Sequence, residues 1–296
     1  VELSNAVVAG VDGSPSGFSA VEQASEEAAL HGVGLHIVHV LTLPPLPAAG
    51  AEACVAVRDA LQEEAEGYLA EAESRARAAA PGIEVSSAVM AGEVLRVLVD
   101  LSRSASLVAV GSRGLGRFTG LLLGSVALHL AAHAQCPVLV HRGTPNRSGP
   151  VVVAVDGSPE NSSAIAFAFA EASLGETDLI AAHVWSEFSV PPTPPPDKSL
   201  AYAKRPGELE NEEQALLAEA LSGMREKYPD VSVERRTLHG RTRQELIDVS
   251  RDARLMVLGA RGRGGFAGML LGSVSQALLH HAQCPVVVAR NENVGS

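Results

Sequence analysis

The chain has 296 residues, 46% of them hydrophobic and 19% charged, with a formal net charge of −11 and an isoelectric point near 5.4. That length suits two domains of about 150 residues, each able to bury a core of its own, and the acidity excludes a general attraction to polyanions, so neither nucleic acid nor an acidic membrane surface is an expected partner. The three cysteines, Cys54, Cys136 and Cys284, form no close pair, which excludes a disulfide framework and fits a reducing cytoplasm.

Ala6 to Val11 is a short apolar run ending at Asp12-Gly13-Ser14-Pro15, after which apolar residues recur at helical spacing to about His31. This predicts strand, tight turn and helix, with Ser14 as the N-cap and Pro15 at the first helical position. Ser158-Pro159 repeats the pattern. With serine capping the helix, Asp12 and Asp156 are free for another role, the alternative being an Asx-type hydrogen bond that orders the turn. Leu35 to Leu41 and Leu179 to Trp185 read as central strands, each containing a His-Val pair, His39-Val40 and His183-Val184. Within apolar runs, His39 and His183 read as satisfied core histidines.

Proline-bearing loops follow, Pro44 to Pro47 and the longer Pro191 to Pro196. Ala53 to Ala79 and Leu209 to Tyr228, rich in Ala, Glu, Leu and Arg, read as long surface helices stopped by Pro81 and Pro229. Ile83 to Val89 and Val231 to Leu238 alternate as half-buried strands, each ending before a glycine, Gly92 or Gly240, and a further helix. Ser106 to Val110 and Arg254 to Leu258 are buried strands leading into Gly111-Ser-Arg-Gly-Leu-Gly-Arg-Phe-Thr-Gly-Leu-Leu-Leu-Gly-Ser125 and Gly259-Ala-Arg-Gly-Arg-Gly-Gly-Phe-Ala-Gly-Met-Leu-Leu-Gly-Ser273, identical at ten of fifteen positions. After one more helix each half closes with Cys136-Pro-Val-Leu-Val140 or Cys284-Pro-Val-Val-Val288. The two cysteines read as small buried hydrophobes.

The glycine loops carry the chemistry. Residues without a Cβ let backbone N–H groups approach an anion, and a helix start presents partial positive charge. The pattern Gly-x2-Gly-x9-Gly-Ser is not a P-loop, because residues 1–150 contain no lysine and Lys198, Lys204 and Lys227 lie outside the second loop. Arg113 and Arg261 are charged at the same position in both loops; they suit phosphate oxygens or stand in solvent. Ser125 and Ser273 serve as N-caps, as phosphate ligands, or as both. His129 and His133 have the spacing of a metal pair on a helix, but His129 becomes Ala277 in the repeat and nothing nearby completes a ligand set, so no side chain is assigned to a metal. His133 and His281 close their helices electrostatically or pack at the next strand.

Alternating strands and helices predict an α/β protein with an open, five-stranded parallel sheet in each half and helices on both faces. The expected domains are 1–145 and 149–296, joined in the turn-rich stretch Gly143 to Pro150. Asp12 matches Asp156 at an offset of 144 and Gly111 matches Gly259 at 148, so four residues were gained between them. Ligands of such sheets bind beyond the strands' carboxyl ends where strand order reverses, and Asp12, Val40 and Gly111 all lie at such ends. No apolar stretch is long enough to span a bilayer, and Val1-Glu-Leu-Ser-Asn5 lacks the regions of a signal peptide, so the expected location is the cytoplasm.

Each half resembles a universal stress protein of the ATP-binding type. The resemblance spans nearly the whole chain and rests on Val-Asp-Gly-Ser after the first strand, His-Val in the second, the Gly-x2-Gly-x9-Gly-Ser loop and the closing Cys-Pro-Val strand, in the same order twice. It implies a Rossmann-like sheet of order 3-2-1-4-5, of the adenine nucleotide alpha hydrolase kind, with ATP, accompanied or not by Mg2+, across the ends of the first and fourth strands. It implies Asp12 and Asp156 near the nucleoside and the backbone of Val40 and Val184 on adenine. Gly111, Gly114, Gly259 and Gly262 would approach ribose and phosphate, and Gly124, Ser125, Val126, Gly272, Ser273 and Val274 would hold the phosphates. Gly10 and Ala154, two residues before the aspartates, Gly116 and Gly264 in the loops, and Arg113 and Arg261 complete the expected set. Ser112 becomes Ala260, so a hydroxyl contact there is expected in the first half only, and an arginine moves from Arg117 to Arg263.

The function implied is regulation of stress or dormancy by two nucleotide sites per chain, acting through conformation or association, with the closing strands joining a homodimer or the two domains. Competing readings are a slow ATP hydrolase or adenylating enzyme, a sensor of a cyclic nucleotide or another adenine ligand, and an interaction module without a ligand. The turn Val11-Asp-Gly-Ser-Pro15 lacks the Ser-Gly-Gly-x-Asp-Ser pattern of adenylating relatives, and no residue is assigned a catalytic role.

Overall fold

A computed structural model describes residues 5–42, 51–114, 123–186, 208–263 and 270–290. Contacts divide the chain into two units, Val1–Gly143 with Leu279–His281 and Pro285–Ser296, and Thr144–Leu278 with Ala282–Cys284.

The first unit runs β1 (Val7–Gly10), α1 (Pro15–His31), β2 (Leu35–Leu41), α2 (Ala51–Ala79), β3 (Val85–Ala91), α3 (Val94–Leu101), β4 (Leu107–Gly111), α4 (Ser125–His133) and β5 (Val138–His141). Its strands pair in parallel in the order β3-β2-β1-β4-β5. Residues of β1 and β4 are almost wholly buried, as β-branched and apolar runs covered on both faces should be. α1 begins where the sequence places it: Ser14 is extended and its side chain accepts from Gly17 N, Pro15 follows, and Gly32 ends the helix with φ 65°.

The second unit repeats the order with β6 (Val151–Ala154), α5 (Ser162–Leu174), β7 (Leu179–Trp185), α6 (Glu208–Ala220), α7 (Met224–Lys227), β8 (Val233–His239), α8 (Thr242–Val249), β9 (Leu255–Gly259) and α9 (Ser273–His281). Here the parallel order is β9-β6-β7-β8. Edge strand β8 carries Glu234 and Arg236 on one face in a two-point ion pair at 2.6 and 2.8 Å, a charged edge of the kind that discourages further strand addition.

Two elements depart from the sequence reading. The second long helix is two, because Gly223 adopts φ 76° and breaks it after Ala220. Ser158 makes no side-chain cap bond, and a single 3₁₀ turn, Pro159–Asn161, precedes α5. The closing strand β10 (Val286–Ala289) forms where the sequence places it, after α9 as the fifth strand of the second half. It lies antiparallel to β5, with Val286 opposite Val140 and Val288 opposite Val138, and all three of its valines are fully buried. No described helix is long and apolar enough to cross a membrane.

Among the described residues, Phe169 on α5 is the bulkiest fully buried side chain, its ring 5.7 Å from that of Tyr228. Phe169→Ala is expected to cost about 3–5 kcal/mol by transfer and cavity terms, read as a lower urea midpoint with secondary structure retained in buffer.

Candidate functional site

The carboxyl ends of β1, β2 and β4 open into one cleft because strand order reverses beside β1. At the end of β1 the Asp12 carboxylate orders the turn: its Oδ1 accepts from the Ser14 N–H at 3.0 Å and from the Ser14 hydroxyl at 2.6 Å. Asp156 does the same with Ser158, at 2.9 and 2.7 Å. The Asx-type bond is therefore present in both halves, and the aspartates are not left free by the serines. Their second oxygens face the glycine loops. A Cβ at Gly114 would collide with Asp12 Oδ2, one at Gly262 would sit 2.5 Å from Asp156 Oδ2, and the Arg263 N–H donates to that oxygen at 2.9 Å.

Gly111 needs its missing Cβ for a different neighbour. A methyl there would lie 2.7 Å from the Ser16 backbone carbon, so this glycine lets β4 pass close under the start of α1. The loop returns to the site at Gly124, whose N–H donates to the Ser112 carbonyl at 2.7 Å; Gly272 repeats the bond to Ala260 at 2.7 Å. These glycines, and not Ser125 or Ser273, are the N-caps of α4 and α9. The serines stand at the first helical position, where an N–H has no acceptor within the helix. Ser125, Val126 and Ala127 thus bring the positive end of α4 to the cleft, as Ser273, Val274 and Ser275 do for α9.

The first cleft encloses about 620 Å³. Gly10, Asp12, Val40, Gly111, Arg113, Gly114, Gly124, Ser125 and Val126, all singled out in the sequence, line it together. Sequence reasoning missed the apolar wall made by Val94 and Leu98, one turn apart on α3, with Leu123 and Val110. The i, i+4 spacing of Val94 and Leu98 was the available signal. Ser112 is not in the lining; it is 6% exposed and its N–H donates to the His141 carbonyl at 3.0 Å, away from the cleft. The residue's main chain serves β5 and the helix cap. Gly116 and Gly264 lie outside the described residues.

The second cleft is smaller, about 420 Å³, and brings together Ala154, Asp156, Val184, Gly259, Arg261, Gly262, Gly272, Ser273 and Val274. Its added polar groups were not legible. Asn161 stands where the first half has Gly17, and its Nδ2 donates to the Ala154 carbonyl at 3.0 Å. Arg263 reaches over the turn at Gly157. Glu213 lines the cleft from α6 and meets His183 at 2.7 Å between Oε2 and Nε2. Tyr68 and Leu216 pack over the matching turn glycines, Gly13 and Gly157, which aligns Glu213 with the buried Ala65 of α2.

Both strand histidines are satisfied: Nδ1 of His39 lies 2.9 Å from the Val11 carbonyl and that of His183 2.7 Å from the Val155 carbonyl. His129 and His133 stack at 3.9 Å, and Nδ1 of His133 bonds the His129 carbonyl at 2.9 Å, closing the last turn of α4. Desolvation, then the neighbouring His133, holds His129 below the usual imidazole range. Cys136 and Cys284 are both buried, and burial pushes the Cys136 thiol up to about 12.

The family model described as the universal stress protein family matches residues 4–142 and 148–290. A universal stress protein of Mycobacterium tuberculosis is 37% identical over 308 residues, covering 96% of this chain and 94% of that protein. One of Mycolicibacterium smegmatis is 35% identical over 292 residues, with 96% of each covered. Among solved structures, a universal stress protein from Archaeoglobus fulgidus shares the fold with a TM-score of 0.68 at 23% identity, over 99% of this chain and 100% of that one.

With its thiol protonated far above neutral pH, Cys136 is expected to resist iodoacetamide in the folded protein and to react only after denaturation, as peptide mapping of the alkylated chain would read.

Proposed function

The chain belongs to the universal stress protein family, which places it in the stress response, and on that premise we propose that it binds ATP in each of its two clefts and works as a nucleotide-dependent regulator. One observation carries this reading. Each unit sets a helix N-terminus and a glycine loop at the ends of its fourth strand beside a pocket floored by the end of its second strand, two strands away. The same arrangement occurs twice.

The N–H groups at the start of α4 or α9, with Arg113 or Arg261 on the rim, supply the positive charge that the absent lysine would have given. Volumes of about 620 and 420 Å³ fall in the range of small-molecule sites. Val38, Val40, Val94 and Leu98 give the first cleft an apolar slot for a flat base, against which the backbone of Val40 can pair its edge. A magnesium ion would arrive with the nucleotide's phosphates, because Asp12, the carboxylate of the first cleft, is committed to the turn.

The nucleotide acts here as a signal, not a substrate. Among the described residues of the first cleft, Asp12 Oδ1 accepts from Ser14 and His39 Nδ1 bonds the Val11 carbonyl. Occupancy would instead be passed on through the glycine loops, which clamp between the β1 turn and α4, to the closing strands and to self-association or a protein partner. The cytoplasm is the compartment that supplies ATP for it.

Calorimetry is expected to give two ATP per chain. Gly114→Ala with Gly262→Ala, which displaces each loop from its aspartate, should weaken both sites at least about tenfold through lost charge-assisted hydrogen bonds, with the circular dichroism spectrum unchanged. Asp12→Ala with Asp156→Ala should do the same by freeing the loops. A full-affinity double variant would remove the clefts as ATP sites, and steady turnover that scales with protein and vanishes in these variants would make the nucleotide a substrate.

A further inference from the structure

The two clefts differ most on the side away from the glycine loops. β7 lies two strands from β9, so the His183 end of the second cleft stands about 10 Å from the α9 end. At α9 the cleft suits an anion. At β7 it presents a carboxylate, since Glu213 lines the cleft with its side chain 12% exposed and Oε2 bonded to His183.

The hydrogen bonds fix what that carboxylate offers. The Val155 carbonyl beside His183 Nδ1 only accepts, so Nδ1 carries a hydrogen. The bond at Nε2 then requires one further proton, on the ring or on Glu213 Oε2. In either placement Oε1 keeps acceptor lone pairs and nothing to donate. A molecule filling this cleft must therefore bring an anion to one end and a hydrogen-bond donor to the other, because a buried acceptor left without a donor is costly. The first cleft makes no such demand: Ala65 holds the place of Glu213, and His39 faces the Tyr68 ring at 5.6 Å.

We propose that Glu213 is a specificity-determining residue of the second cleft, its carboxylate held by His183 and accepting a hydrogen bond from the amino group of the base, so that this cleft selects an amino-purine nucleotide over one lacking that group. The inference rests on reading the cleft as a nucleotide site, and Trp185 allows the two to be tested apart. It is the one tryptophan of the chain and it lines the second cleft, so its fluorescence reports that cleft with the first left intact.

Titrations of the full chain with ATP and with purine riboside triphosphate, which lacks the 6-amino group, followed by Trp185 fluorescence, give the test. ATP is expected to bind at least about tenfold more tightly. Glu213→Ala should abolish the preference, weakening ATP and tightening the analogue, which no longer faces an acceptor without a donor. Glu213→Gln should keep most of the preference, since its amide retains an accepting oxygen while its NH2 can donate to His183 Nε2. Equal affinities in the unaltered protein, or a preference that survives Glu213→Ala, would overturn the assignment while leaving the nucleotide site standing. Silence of Trp185 to both nucleotides, with calorimetry showing one ATP per chain, would instead remove the nucleotide reading of this cleft and the assignment with it.

Discussion

In each unit one carboxylate holds together two loops that are remote in the chain. Asp156 takes the Ser158 donors with one oxygen and the Arg263 N–H, 107 positions away, with the other; Asp12 meets Ser14 and faces Gly114 in the same way. The bond network explains a glycine that propensity alone would not. Any side chain at residue 114 or 262 would push the carboxylate off its turn. The glycine signature is thus partly a packing requirement of the aspartate and partly an opening for a ligand, with the two demands falling on the same residues.

The strands and helices were legible because their periodicity is strong: β2 and β7 occupy the ranges the sequence assigns, and Ser14-Pro15 opens α1 as expected. What failed was decided by contacts that spacing does not encode. The cap of α4 falls on Gly124 because the glycine's N–H is needed by the Ser112 carbonyl, which lies across the loop. The break in the second long helix comes from one left-handed glycine, Gly223, in a stretch whose composition otherwise favours helix. Nothing in the glutamate-rich run of α6 distinguishes Glu213 from its neighbours until the fold sets it against His183.

The two halves have kept one framework and diverged inside it. Asn161 for Gly17, Trp185 for Leu41 and Glu213 for Ala65 each put a larger or more polar group into the second cleft. The framework tolerates this because the strand ends and the aspartate clasp are unchanged. A duplicated chain can hold one open apolar slot and one narrower, polar one without a second gene.

The place of β10 bears on how the molecule is made. Strand β10, the antiparallel partner of β5, is separated from it by the 145 positions from His141 to Val286, and a ribosome adding about 5–20 residues per second needs roughly 7–30 seconds to supply them. Through that interval the growing chain carries a row of unfilled backbone partners along β5, so its early half ripens only at the end of translation. A stalled or shortened message would leave that seam permanently open.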